Sequence, residues 1–173
     1  MLLGSAGVSG FGVFCLFRLD GVFRWVVFGL LVFLFFVFMA GLDFVVHGVL
    51  YGFGLRFSFD WAVFYWRVFG FVFFVFGFTI AFAYWLGSGR SRRDFWVSLC
   101  IFLSIVLPFL GGLEDILWFV VWGGGLPDAN VIWWWTPWYG LFGFWNIFMQ
   151  MAALCVTFSL VVAFWGLALR RPE

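Results

Sequence analysis

The sequence predicts an all-α integral membrane protein, a four-helix bundle with both termini on one side. Three observations predict it. Hydrophobic residues make up 66% of the chain and charged residues 10%, with a mean hydropathy of +1.16. Four apolar runs each exceed the ~20 residues that cross a hydrocarbon core. All nine basic residues are Arg, and seven of them lie before the first run, between the second and third, or after the fourth. A water-soluble domain of this composition would carry an apolar exterior around an apolar core.

The elements follow in chain order, as one transmembrane domain over residues 1–173. The opening stretch from Met1 to Gly21 mixes Gly and Ser with short apolar pieces. It lacks the basic start and small-residue cleavage site of a signal peptide, and predicts a short interfacial or irregular lead-in. The spans are expected over about 25–50, 61–86, 95–122 and 138–169. Pro108, followed by Gly111 and Gly112, marks the third span as the one that bends. Gly70 and Gly77, one heptad apart on the second span, allow close helix packing.

Arg18 and Arg24 precede the first span, Arg90, Arg92 and Arg93 join the second to the third, and Arg170 and Arg171 follow the fourth. Arg56 stands on the other side. The positive-inside rule then puts both termini in the cytoplasm of a multi-pass cell-membrane protein. On the far side, the connection from Tyr51 to Asp60 reads as an interfacial segment. The one from Gly123 to Trp138 carries a Leu126-Pro127-Asp128 turn and then Trp133, Trp134, Trp135 and Trp138. Indoles favour the headgroup level, so these four are expected to form an aromatic belt, with ligand stacking as the alternative.

Polar residues within the spans are few and cluster by depth. With a rise of ~1.5 Å per residue, Asp43 lies ~28 Å and His47 ~34 Å above Arg24, and Glu114 and Asp115 ~30 Å above Asp94. Arg67 lies ~9 Å below the far start of the second span, and Asn146 and Gln150 ~12 to 18 Å below that of the fourth. All seven fall in the outer half of the bilayer, where ionisable groups are costly and mark interior sites. Asp43 and His47 share a helix face, as do Asn146 and Gln150. Glu114 and Asp115 point ~100° apart; Glu114 is expected to face the bundle axis and Asp115 a neighbour or the interface.

Three chemistries fit this constellation. A structural salt bridge would join Arg67 to Glu114 or Asp43. A metal site would use Asp43, His47 and Glu114, although one histidine is a thin ligand set and no Glu-x-x-His pair is present. A protonatable or solute-binding pocket would exploit carboxylates in low dielectric beside a histidine. Cys15, Cys100 and Cys155 lack the spacing of a disulfide framework or zinc site and read as buried thiols. A net charge of +1 gives no case for nucleic-acid binding, and no nucleic-acid partner is expected. No P-loop, Rossmann fingerprint, HExxH or GxSxG occurs, and no cofactor is identified.

The run LDFVVHGVLYGFGLRFSFDWAVFYW, Leu42 to Trp66, resembles a stretch of archaeal four-helix multi-pass membrane proteins of unknown function. LEDILWF, Leu113 to Phe119, is similar to an acidic pair before Trp-Phe in the same group. The resemblance implies a membrane bundle, carries no activity, and points to Asp43, His47, Tyr51, Asp60, Trp61, Glu114 and Asp115. The expected function is a small membrane binding or accessory protein whose outer cluster holds an ion, a proton or a small polar ligand. The alternatives are an enzyme or small transporter using Asp43, His47 and Glu114, and a structural subunit. The expected partners are the bilayer and a second copy or a larger complex.

Overall fold

Apolar chain in lipid must satisfy its own backbone, and the α-helix does so within one segment. That constraint overrides the weak helix preference of a chain this rich in Phe, Val and Trp. In the computed structural model the described residues are 21–52 and 61–170, with side chains described for 21–48 and 66–170. The expected lead-in with Cys15 and Arg18, the connection with Arg56 and Asp60, and Arg171 lie outside them. So do the side chains of Tyr51 and Trp61.

The described helices are α1 (Val22–Gly52), α2 (Trp61–Gly87), α3 (Arg92–Leu110), α4 (Leu113–Leu117), α5 (Pro137–Phe142) and α6 (Ile147–Leu169), with a π-helical turn, Trp118–Trp122, after α4. Segments Val22–Gly48, Trp66–Gly87, Arg92–Leu110 and Ile147–Leu169 are each long and apolar enough to cross a membrane. The protein is an all-α, four-span membrane bundle. Large apolar side chains such as Phe71, Leu141 and Val162 stand exposed, as a lipid-facing surface requires.

The third helix starts earlier than expected. Ser91 caps it: its hydroxyl accepts from the Asp94 N–H at 3.1 Å, and Asp94 Oδ2 accepts from the Ser91 N–H at 2.9 Å. This capping box satisfies orphan donors at both positions and fixes the helix start at Arg92.

Helix α3 packs against both α2 and α6. Gly77 lets Ile105 and Phe102 approach α2 closely, and Gly70 faces Phe109, so the glycine pair opens the close packing its spacing suggested. Phe73 stacks on Phe109 at 4.3 Å, and Ser98 donates to the Ala81 carbonyl at 2.7 Å. Toward α6, the Trp165 indole donates to Ser104 at 2.9 Å. Helix α1 joins through larger rings, Phe35 stacked on Phe76 at 3.7 Å and Phe36 tilted against Phe73 at 4.7 Å. Such interlocking rings provide the van der Waals packing that holds helices together in lipid. Cys100 is buried, as expected, but Cys155 is exposed on the lipid side of α6.

Two of the four expected spans are interrupted. The third run does not continue to Trp122; it breaks at Gly111 and Gly112, one turn beyond Pro108. Gly112 takes φ 78°, which glycine alone adopts cheaply, and α4 starts in a new direction. The fourth run begins not at Trp138 but at Ile147, because Gly143 at φ 68° ends α5 and Asn146 caps α6. After the first break the order of contacts along α1 reverses. Trp118 lies against Phe44, 5.4 Å away, and beside His47, whereas Trp122 reaches back to donate to the Val37 carbonyl at 3.2 Å.

Candidate functional site

The helix break creates a problem that Gln150 solves. Ending α3 exposes carbonyls that have lost their helical partners. Gln150 is fully buried on α6; its Nε2 donates to the Gly111 carbonyl at 2.7 Å, and its Oε1 accepts from the Trp145 indole. The Trp138 indole donates to the Leu110 carbonyl at 3.0 Å. Added side-chain carbons at Gly111 and Gly112 would collide with Thr157 and Gln150 respectively, so both glycines are required by fit.

Immediately past the break, α4 carries Glu114 and Asp115, 1% and 8% exposed. Carboxylates this deep are costly unless hydrogen-bonded or neutralised. Asp115 Oδ1 accepts from the Trp135 indole at 3.3 Å. Its Oδ2 is buried and has no hydrogen-bond partner among the described residues, and the same holds for the indole N–H groups of Trp118 and Trp133. Asp115 lies past the end of the third apolar span. Burial pushes its carboxyl up, to about 7; the Trp135 hydrogen bond opposes this, and the charge of Asp43 on α1 adds to it.

A folded plug covers the pair. Trp133 is 0% exposed; its backbone N–H donates to the Trp145 carbonyl at 2.8 Å and its ring stacks 5.5 Å from Trp135. The Trp66 indole donates to the Trp135 carbonyl at 2.7 Å, tying the plug to α2. Asn146 holds it from below: its amide donates to the Ala129 carbonyl at 3.0 Å while its oxygen accepts from the Met149 N–H. The expected aromatic belt is therefore corrected. Trp134 is 59% exposed, but Trp133 is core, and the half-buried Trp135 and Trp138 turn their N–H groups to Asp115 and the Leu110 carbonyl.

The remaining candidates separate. Asp43 is half-buried on α1 and within electrostatic reach of Asp115. His47 is exposed one turn further on, its ring 6.1 Å from Trp118. Asn146 and Gln150 do not share a task, because Asn146 is a helix cap rather than a mid-helix residue. Arg67 is exposed and makes no ion pair among the described residues, so no salt bridge joins it to Glu114 or Asp43. Its neighbour Trp66 turns inward, and the helical step of ~100° turns Arg67 away. Among the described residues no group of three His, Cys, Asp or Glu side chains could hold a metal ion. The set Asp43, His47 and Glu114 is not such a group.

Sequence reasoning missed Trp66, Trp118 and Trp145 and read Trp135 only as a belt or stacking ring; the N–H groups of all four organise or face this region. Indoles are long donors, and Trp135 beside Thr136 and Trp145 before the cap Asn146 stand where the chain turns, whereas Trp66 and Trp118 lie within helical segments and carry no such signal. Compared with known proteins, the chain matches no protein-family model, no curated sequence and no solved structure.

Proposed function

We propose that this protein is a small integral membrane binding protein whose acidic site, at the break after the third span, takes up a proton. In this reading Asp115 is the proton-holding group, Asp43 the charge that favours uptake, and Glu114 the second buried acid beside it. The tryptophan plug excludes water and supplies indole donors. The positive-inside rule turns the arginine-rich end to the cytoplasm, so the site lies toward the other side; a fluorescent protein fused after Glu173, bright only in the cytoplasm, reads that orientation.

One observation carries the proposal. Asp115 is buried with one oxygen hydrogen-bonded and the other unmatched, beside a further buried acid and within reach of a third. A carboxylate in a low-dielectric site within reach of a second negative charge is most cheaply neutralised by a proton. A proton on Oδ2 also converts that orphan acceptor into a donor.

Infrared difference titration in lipid nanodiscs tests this. A protonated carboxyl band that persists near neutral pH and disappears in Asp115→Asn is expected. A band absent near neutrality, or unchanged in Asp115→Asn, removes the proton site. The binding reading then passes to a small polar ligand that accepts from the Trp118 and Trp133 N–H groups.

A further inference from the structure

The opposite, arginine-rich end of the bundle is open. A cleft of about 800 Å³ lies between all four spans, within the range of small-ligand sites. Trp25 on α1 lines it, its ring 6.2 Å from that of Tyr84 on α2 and 5.1 Å from that of Trp165 on α6. The walls are ordered by polarity. Phe28 and Val97 are buried and apolar at its base, Trp165 and Leu169 form the α6 side, and Tyr84, Ser91 and Arg93 stand at the rim.

The rim is cationic. Arg24, Arg93 and Asp94 all act electrostatically on the Tyr84 phenol. Asp94 is occupied, because Oδ2 accepts from both the N–H and the hydroxyl of Ser91, each at 2.9 Å. Arg90 and Arg92 stand exposed beside it, and Arg170 ends α6. Each guanidinium has five N–H donors in a planar fork, so it can keep a protein partner and still grip a phosphate.

We propose that this cleft binds one anionic phospholipid, its phosphate held by Arg93 and Tyr84 and an acyl chain laid along Phe28, Val97 and Leu169. The apolar wall below a cationic rim repeats the order of groups along a lipid, at the span ends where headgroups lie. Basic pockets between spans bind acidic headgroups by this combination. A free phosphate would use the rim alone and leave the apolar wall uncovered. The neighbouring groove of about 430 Å³, walled by Phe74, Phe78, Phe82 and Phe102 with Ser98 as its polar exception, has nothing to select a headgroup and suits bulk acyl chains. The proposal is independent of the acidic site at the other end.

The test is native mass spectrometry of the full chain, purified in detergent with equal phosphatidylglycerol and phosphatidylcholine. One phosphatidylglycerol per chain, retained about tenfold over phosphatidylcholine, is expected. Arg93→Gln should reduce that preference about fivefold, and Arg67→Gln, exposed at the opposite end of the bundle, should leave it unchanged. Leu169→Trp, at an exposed position on the mouth, should reduce retention of both lipids. Equal retention of the two lipids, or a preference surviving Arg93→Gln, overturns the proposal. So does full displacement by millimolar inorganic phosphate, which would make the rim a free-anion site. If Arg93→Gln does not fold, unchanged phosphatidylglycerol retention in Leu169→Trp overturns it alone.

Discussion

The two ends of this bundle handle polar groups in opposite ways. At the arginine-rich end charges stay at the surface: Arg90 and Arg92 are exposed, and Asp94 is spent on a helix cap. At the tryptophan-rich end Arg67 and His47 stay exposed, but four polar groups go inward. Glu114, Asp115, Thr136 and Gln150 are all buried, roofed by a loop that folds back over the break. Solvated charges cost little and contribute little, whereas buried polar groups must find partners or destabilise the fold. The tryptophan-rich end therefore carries the specificity of the structure, and substitutions there should be felt most.

The largest effect is expected at Gly112. An alanine would be strained at φ 78° and would drive out Gln150, leaving the Gly111 carbonyl and Trp145 N–H unmatched in the interior. Each orphaned buried group costs about 1–3 kcal/mol, so Gly112→Ala should lose about 4 kcal/mol in all. Thermal unfolding in detergent, followed by tryptophan fluorescence, measures it. A loss below about 1 kcal/mol would mean that the plug does not depend on the break.

The next effect is on pH dependence, and its sign follows from the raised Asp115 carboxyl. Its folded value, about 7, lies above the ordinary 3.8. The folded protein thus binds the proton more tightly than the unfolded chain, and stability falls as pH rises between those values. The contribution is complete below the ordinary value and lost once pH passes the raised one. A shift of this size is worth up to about 4 kcal/mol, and with Asp115 electrostatically coupled to its neighbours we expect about 2. Asp115→Asn should flatten the melting profile across this window and be more stable than the parent at pH 8. An Asn variant that keeps the parent's slope would move the titration to Glu114, Asp43 or His47.

This contrast between the ends also explains what could be read from the chain. Bilayer thickness and the apolar runs made the four spans legible, and Pro108 with the Gly111–Gly112 pair marked the region of the bend. The break in the fourth run was not legible. Trp138, Tyr139, Leu141 and Phe142 are as apolar as a span, and hydropathy cannot separate an aromatic loop from a crossing helix. Asn146 therefore read as a mid-helix polar residue when it is a cap. Glu114 and Asp115 were placed by depth, and both are buried; Arg67 shared that depth but faces away, because depth carries no information about helix face. Trp133 misled for a related reason, since an indole can sit at the interface or fill a core.

The smallest effect is expected at Ser91, on the arginine-rich end. Its side chain accepts from the Asp94 N–H in an exposed capping box, and N-cap replacements by alanine cost about 1 kcal/mol. Ser91→Ala should lower the melting temperature slightly and leave its pH slope unchanged. Hydrogen exchange should then quicken at the amides of Arg92 to Asp94, where the first turn frays, and stay constant at Glu114 to Trp118. Between these positions run five turns of α3, closely packed on α2 and α6, so loss of a cap at one end has no route to the break except a rigid shift of the helix. Faster exchange at Glu114 to Trp118 would reveal that shift. The cap and the acidic break would then be two ends of one movable element, and the separation of a solvated end from a buried one would no longer hold.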